Sequence, residues 1–254
     1  MTAPLATDVA WRFRSDQKRM GARMVRDLRR VWPALDFTRL DATYPVWASS
    51  VEQVVRHYED DSIDRTRSYV ETFYSREGIT GRPAPYVLVP RAPQEKLDAL
   101  LHSQAVASIK KSTAMGSPIV QTLDRTFSTT SMSMVRVVRD RSREYVRQTS
   151  LTDDRLGAWG RIGTGDTCGF CSLLISRGAV YSKHSVRFAS HLNCNCEVAP
   201  AYGDQAKPVE EYRRSDRYAK MDDEQLNKQR GRVRHRLELE QDRISDWLAV
   251  NNVG

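Results

Sequence analysis

A mainly α-helical protein, with long helices, a small α+β cysteine-bearing module near the C-terminal end and a closing C-terminal helix, is the fold class that the sequence predicts. Three observations predict it. Apolar residues recur at helical spacing over most of the first 150 positions. Glycines and all four cysteines crowd into positions 151–202, and a charged stretch with a sparse helical stride runs from there to residue 254.

The first element is an amphipathic basic helix from about Ala6 to Trp32. Phe13, Met20, Met24, Leu28 and Val31 form its apolar stripe, and Arg19, Arg23, Arg26 and Arg30 fall on other faces. Pro33 and Asp36 punctuate it. After Pro45 a second periodic run passes through Trp47, Val51, Val54, Val55 and Tyr58 towards Tyr69, Val70 and Phe73, which predicts a second long helix, whole or broken. Between Gly78 and Pro93 the prolines at 83, 85, 90 and 93 fix φ and remove backbone donors, so an extended loop is expected over about 78–93. A third helix is predicted from Gln94 to about Thr113 on Leu97, Leu100, Leu101 and Ile109. A fourth runs from Pro118 to about Gln148 on Ile119, Leu123, Phe127, Met134, Val138 and Tyr145.

At Leu151 the character changes. Glycines at 157, 160, 163, 165, 169 and 178, together with short β-prone runs such as Ala179-Val180-Tyr181, predict a compact loop-rich module over 151–202. Beyond it, 203–254 reads as a charged helical tail on Val233, Leu237, Ile244 and Leu248.

The formal charge of +8 favours an anionic partner, nucleic acid or an acidic protein, without demanding one. No stretch approaches the ~20 apolar residues of a membrane span. Met1-Thr2-Ala3-Pro4-Leu5 lacks a basic region followed by an apolar one, so neither a secretion signal nor a membrane partner is expected.

Chemistry concentrates in the cysteines. They lie between positions 168 and 196, in the order Cys168-Gly169-Phe170-Cys171, then nineteen residues, then His191-Leu192-Asn193-Cys194-Asn195-Cys196. Two residues between cysteines let both thiolates point at one ion, and Gly169 eases the turn. The second half adds three further ligands of zinc type, so five candidates, Cys168, Cys171, His191, Cys194 and Cys196, compete for four tetrahedral positions around one structural zinc. If Cys194-Asn195-Cys196 is extended, its side chains diverge and His191 joins one of them. If it turns, all four cysteines bind and His191 stands behind them. Both alternatives stay open, and two disulfides or free thiols are the competing account. A thiolate-rich set is closed and structural, whereas a hydrolytic zinc keeps an open position.

No enzyme is expected. Asp153-Asp154 reads as a helix-end cap or solvated surface, and His184 with Ser185 has no orienting acid in view. A treble-clef nuclease needs histidines free for a catalytic metal, and only His184 and His191 lie within the module. Trp11, Trp32, Trp47, Tyr69 and Phe73 fall on or near apolar stripes and are expected in the core. Arg136, Arg139, Arg143 and Arg147 line one helix and are expected as solvated surface, or as a face towards phosphate.

Three segments together resemble the Mu F-like minor head (minor capsid) proteins of tailed bacteriophages, particularly those of actinobacterial phages. They are Asp166-Thr167-Cys168-Gly169-Phe170-Cys171-Ser172-Leu173-Leu174, Arg177-Gly178-Ala179-Val180-Tyr181 and His191-Leu192-Asn193-Cys194-Asn195-Cys196. The likeness covers Leu151 to Tyr202. Leu192 and Asn195 depart from it, where many members carry proline and arginine. The resemblance implies a minor structural protein of the virion, made in the host cytoplasm and associated with the portal protein, the major capsid protein and the capsid interior near packaged double-stranded DNA. A nucleic-acid-binding zinc protein outside the virion is the alternative, and a zinc-dependent nuclease the one behind it.

Overall fold

The computed structural model describes residues 7–81, 83, 87–163, 171, 174–175, 194 and 196–202. Helix α1 spans Thr7–Val31, and its expected stripe, Phe13, Met20, Met24 and Leu28, is buried. Inside it, Gly21 lets α1 and the last helix approach closely, since a Cβ there would lie 3.1 Å from a Val135 methyl. A short turn leads to α2, Leu40–Arg76, which is unbroken. Pro45 lies in its second turn and removes the hydrogen bond an N–H there would give to the Asp41 carbonyl, without interrupting the helix. Gly78, at φ 65°, closes α2, and the Ile79 N–H returns 3.0 Å to the Tyr74 carbonyl.

The described residues between Gly78 and Pro93 carry neither helix nor strand, as the prolines dictate. Side chains fasten this loop to α2. Arg56 donates to the Ala92 carbonyl at 2.8 Å and to buried Glu59 at 2.9 Å, and Glu59 accepts the Ala92 N–H at 3.1 Å. Next come α3, Gln94–Leu101, a π-helical stretch, His102–Ala107, and α4, Ser108–Ala114, in place of the one regular helix expected. Helix α5, Ile119–Thr152, starts where predicted and runs four residues further than Gln148.

Trp32 of the first turn meets Trp47 and Phe127 edge-on, at 5.5 and 5.2 Å, which joins the start of α5 to the end of α1. At the other end Val9 and Phe13 share a cluster with Tyr145 and Val146. Helix α5 is therefore antiparallel to α1 and parallel to α2. Two apolar clusters fill the bundle, one around Met20, Met24, Trp47 and Met134, the other around Phe13, Tyr69, Phe73 and Trp159. Between them lies a buried polar layer. Ser62 donates to Gln17, Gln17 donates to Ser142, and the Thr66 and Ser142 hydroxyls meet at 2.7 Å. Such a layer is stable only when satisfied, so it sets the register of α1, α2 and α5. Of the aromatic residues expected inside, Trp47, Tyr69 and Phe73 are buried and Trp32 packs against the core, but Trp11 is exposed.

Strand β1, Leu156–Ile162, follows α5 almost at once and pairs antiparallel with β2, Glu197–Tyr202. Trp159 stands opposite Pro200 and Ile162 opposite Glu197. Because Leu156, Trp159, Val198 and Ala199 bury themselves in the upper helical cluster, the hairpin and the bundle share one core. The expected Ala179-Val180-Tyr181 strand and the C-terminal helix over Val233–Leu248 lie outside the described residues. No described helix is long and apolar enough to cross a membrane.

Candidate metal centre

The paired strands bracket the cysteines. Strand β1 leads into the first cysteine pair and β2 begins directly after Cys196, so the hairpin brings the two halves of the motif to one end. There Cys171, Cys194 and Cys196 are buried together with all three sulfurs within 4.8 Å, and the Cys171 and Cys194 sulfurs are 3.8 Å apart. A disulfide would need ~2.05 Å. Four thiolates placed tetrahedrally at ~2.3 Å from one zinc stand about 3.8 Å apart, so the observed spacing is one that could hold a metal ion. Both cysteines of Cys194-Asn195-Cys196 face the same centre, as in the turned alternative and not the extended one. Cys168 and His191, the remaining candidates, lie outside the described residues, as do His184 and Ser185.

The cluster is held from beneath by α5. Arg139 and Arg143, one helical turn apart, both reach the peptide backbone of the second cysteine pair. Arg139 donates to the Cys194 carbonyl at 3.1 Å. Arg143 donates to the Cys194 carbonyl at 3.0 Å and to that of Cys196 at 2.6 Å. Both also engage fully buried Glu197, Arg139 through Nε at 2.8 Å and again through Nη2, and Arg143 at 3.5 Å. From β1, Arg161 points an N–H at the Cys171 and Cys194 sulfurs, at 3.7 and 3.9 Å.

This overturns the expected solvated face. Arg139 and Arg143 are buried, while Arg136 and Arg147 pair with Asp140 and Glu144 on the same helix. Three buried guanidinium groups, Arg139, Arg143 and Arg161, stand beside the sulfurs, with Glu197 and, at 2.7 Å from Arg143, Asp140 as carboxylate partners. Thiolates around a divalent zinc would carry net negative charge, which neighbouring guanidinium groups favour.

Protonation follows the same logic. Hydrogen bonds from Cys171 and Cys196 hold Cys194 well below the ordinary thiol range, with Arg143 assisting against burial. Hydrogen bonding to Cys194 and Cys196, then burial, raises Cys171. A hydrogen bond with Cys171 lowers Cys196, but Cys194 and burial outweigh it and push Cys196 up to about 11. Cysteines bind a metal as thiolates, so a bound cation would displace whatever protons the three sulfurs hold. Burial opposes the charge of Arg143, yet Glu197, Asp140 and Cys194 together raise it above its usual value.

Asp153, the residue that caps the end of α5, is buried and not solvated surface. Arg155 grips both of its oxygens, at 2.8 and 2.6 Å, and Tyr74 donates to it, which fastens the α5–β1 corner to the end of α2. The Arg155 hydrogen bond first, aided by Tyr74, holds the Asp153 carboxyl well below the usual range.

Sequence reasoning found the cysteines and missed Arg139, Arg143, Arg161 and Glu197. One signal was available: Arg139 and Arg143 sit beside Val138, Ser142 and Val146, within the buried stripe of α5, not opposite it.

The model of the VG15 protein family matches residues 5–223, which include every candidate ligand. No curated protein and no solved structure matches the chain. The chain belongs to the VG15 family, a family of phage gene products.

Proposed function

Starting from a phage-encoded VG15-family protein, we propose that it is a minor structural protein of the virion, of the Mu F-like minor head type. In this reading it docks on the portal and major capsid proteins at the capsid interior. One structural zinc ion, held by Cys171, Cys194, Cys196 and a fourth ligand from Cys168 or His191, stabilises it. When bound, the zinc cross-links the two halves of the cysteine motif and supplies folding free energy. The chain's own residues do the rest. Arg139 and Arg143 fix the carbonyls of Cys194 and Cys196, and Arg161 offsets the charge on sulfur.

The observation that carries the reading is the buried, thiolate-rich centre clamped onto a long helical bundle. With Cys168 or His191 as fourth ligand such a centre has no open coordination position for hydrolysis and serves to hold shape. Mass-spectrometric protein identification in gradient-purified, nuclease-treated particles tests the location. Recovery at a few copies per particle is the expected result; a chain found only in the soluble lysate would remove the virion role.

A further inference from the structure

We propose that the outward face of α1 is a binding surface for the phosphate backbone of duplex DNA. This extends the virion reading by naming a surface. It is tested apart from that reading, on purified protein.

Along α1 the positions turned to solvent carry Arg12, Lys18, Arg19, Arg23, Arg26, Arg29 and Arg30. Residues 12–30 rise about 27 Å along one straight helix at ~1.5 Å per residue. The four arginines Arg19, Arg23, Arg26 and Arg65, with Asp16 and Ala22, line a shallow concavity where α1 meets α2.

Several of these cations make only exposed, exchangeable contacts: Arg19 with Asp16, Arg23 with Asp61 at 3.6 Å, and Arg30 with Asp27 at 2.7 Å. Arg12, Lys18 and Arg26 form no ion pair among the described residues. Guanidinium groups grip phosphate in a two-pronged manner, and duplex DNA presents one phosphate per ~1.7 Å of axis, so a straight basic ridge of this length meets many at once.

An acidic protein would need apolar anchors at the centre of its interface. Between Arg12 and Arg30 the exposed positions offer only Ala22, and the nearest exposed aromatic, Trp11, lies at the end of the ridge beside Arg14, not at its centre. Among the described residues no loop on this ridge is shaped to enter a groove, so the binding proposed is to the backbone and independent of base sequence.

The test is fluorescence anisotropy of a labelled 30-base-pair duplex with the full-length, zinc-loaded chain over a range of salt. The combined variant Arg19→Gln, Arg23→Gln and Arg26→Gln should reduce the salt slope of log affinity by about 2.7, three phosphates at ~0.9 each. A control variant with the same loss of charge elsewhere, Lys96→Gln, Lys111→Gln and Arg125→Gln, should change the slope by less than about one. Thermal melts matching wild type exclude misfolding as the cause. Equal weakening by the two variants, or wild-type binding by the α1 variant, would overturn the proposal. Binding of polyglutamate as tight as that of DNA at the same salt would also overturn it. Absence of the chain from purified particles would leave these outcomes untouched.

Discussion

The arginines of α1 and those of α5 recur at similar helical spacing and end in opposite environments. On α5, Arg139 and Arg143 are buried against the Cys194 and Cys196 carbonyls and Glu197. On α1, Arg19, Arg23 and Arg26 face solvent, and the carboxylates that pair with Arg19 and Arg23 are themselves part-exposed. Spacing alone does not set the fate of a cationic row. What decides is whether the opposing chain offers acceptors enough to replace water, because an arginine enters the interior only when its donors are satisfied.

This contrast can be broken at its strong end first. Arg143→Met leaves buried Glu197 with Arg139 alone, strips the Cys196 carbonyl of its guanidinium donor and takes one of two from the Cys194 carbonyl, so it should cost about 3–5 kcal/mol in denaturant unfolding. Gly21→Val should cost roughly 1–3 kcal/mol by the same measurement. It forces a branched side chain into the 3.1 Å gap to Val135 and separates α1 from α5 without touching an arginine.

Asp153 gives a smaller, pH-dependent effect. Its folded pKa is depressed, so its contribution is present above the unfolded value of ~3.9 and lost as pH falls from there towards the folded value. Unfolding free energies of wild type and Asp153→Asn should therefore differ at pH 7 and converge as pH drops from 4 towards 2. At the weak end, Arg23→Met on α1 should shift stability by no more than about 0.5 kcal/mol, since its ion pair is exposed.

The helices were largely legible because their apolar residues obey a 3.6-residue period over long stretches, and the prolines between Gly78 and Pro93 left no room for another element. The strands were not. β1 is Leu156-Gly-Ala-Trp-Gly-Arg-Ile, weakened by two glycines, and β2 carries Pro200, which a two-stranded edge pairing tolerates but strand propensity argues against. They form because Trp159 and Val198 find a place in a core the helices have already built.

At the metal centre, ligand types and spacing pointed to Cys171, Cys194 and Cys196. The arginine clamp is a contact between residues more than fifty positions apart and has no local signature. The polar layer of Gln17, Ser62, Thr66 and Ser142 escaped for the same reason. Each member alone reads as an ordinary polar interruption of an apolar stripe.

The most direct test of the central claim is the zinc content of the purified chain by elemental mass spectrometry, with thiols titrated before and after a chelator. About one zinc per chain, with thiols that become reactive only on chelation, is the predicted result. Metal-free protein whose cysteines react freely, or are already joined as disulfides, would contradict it.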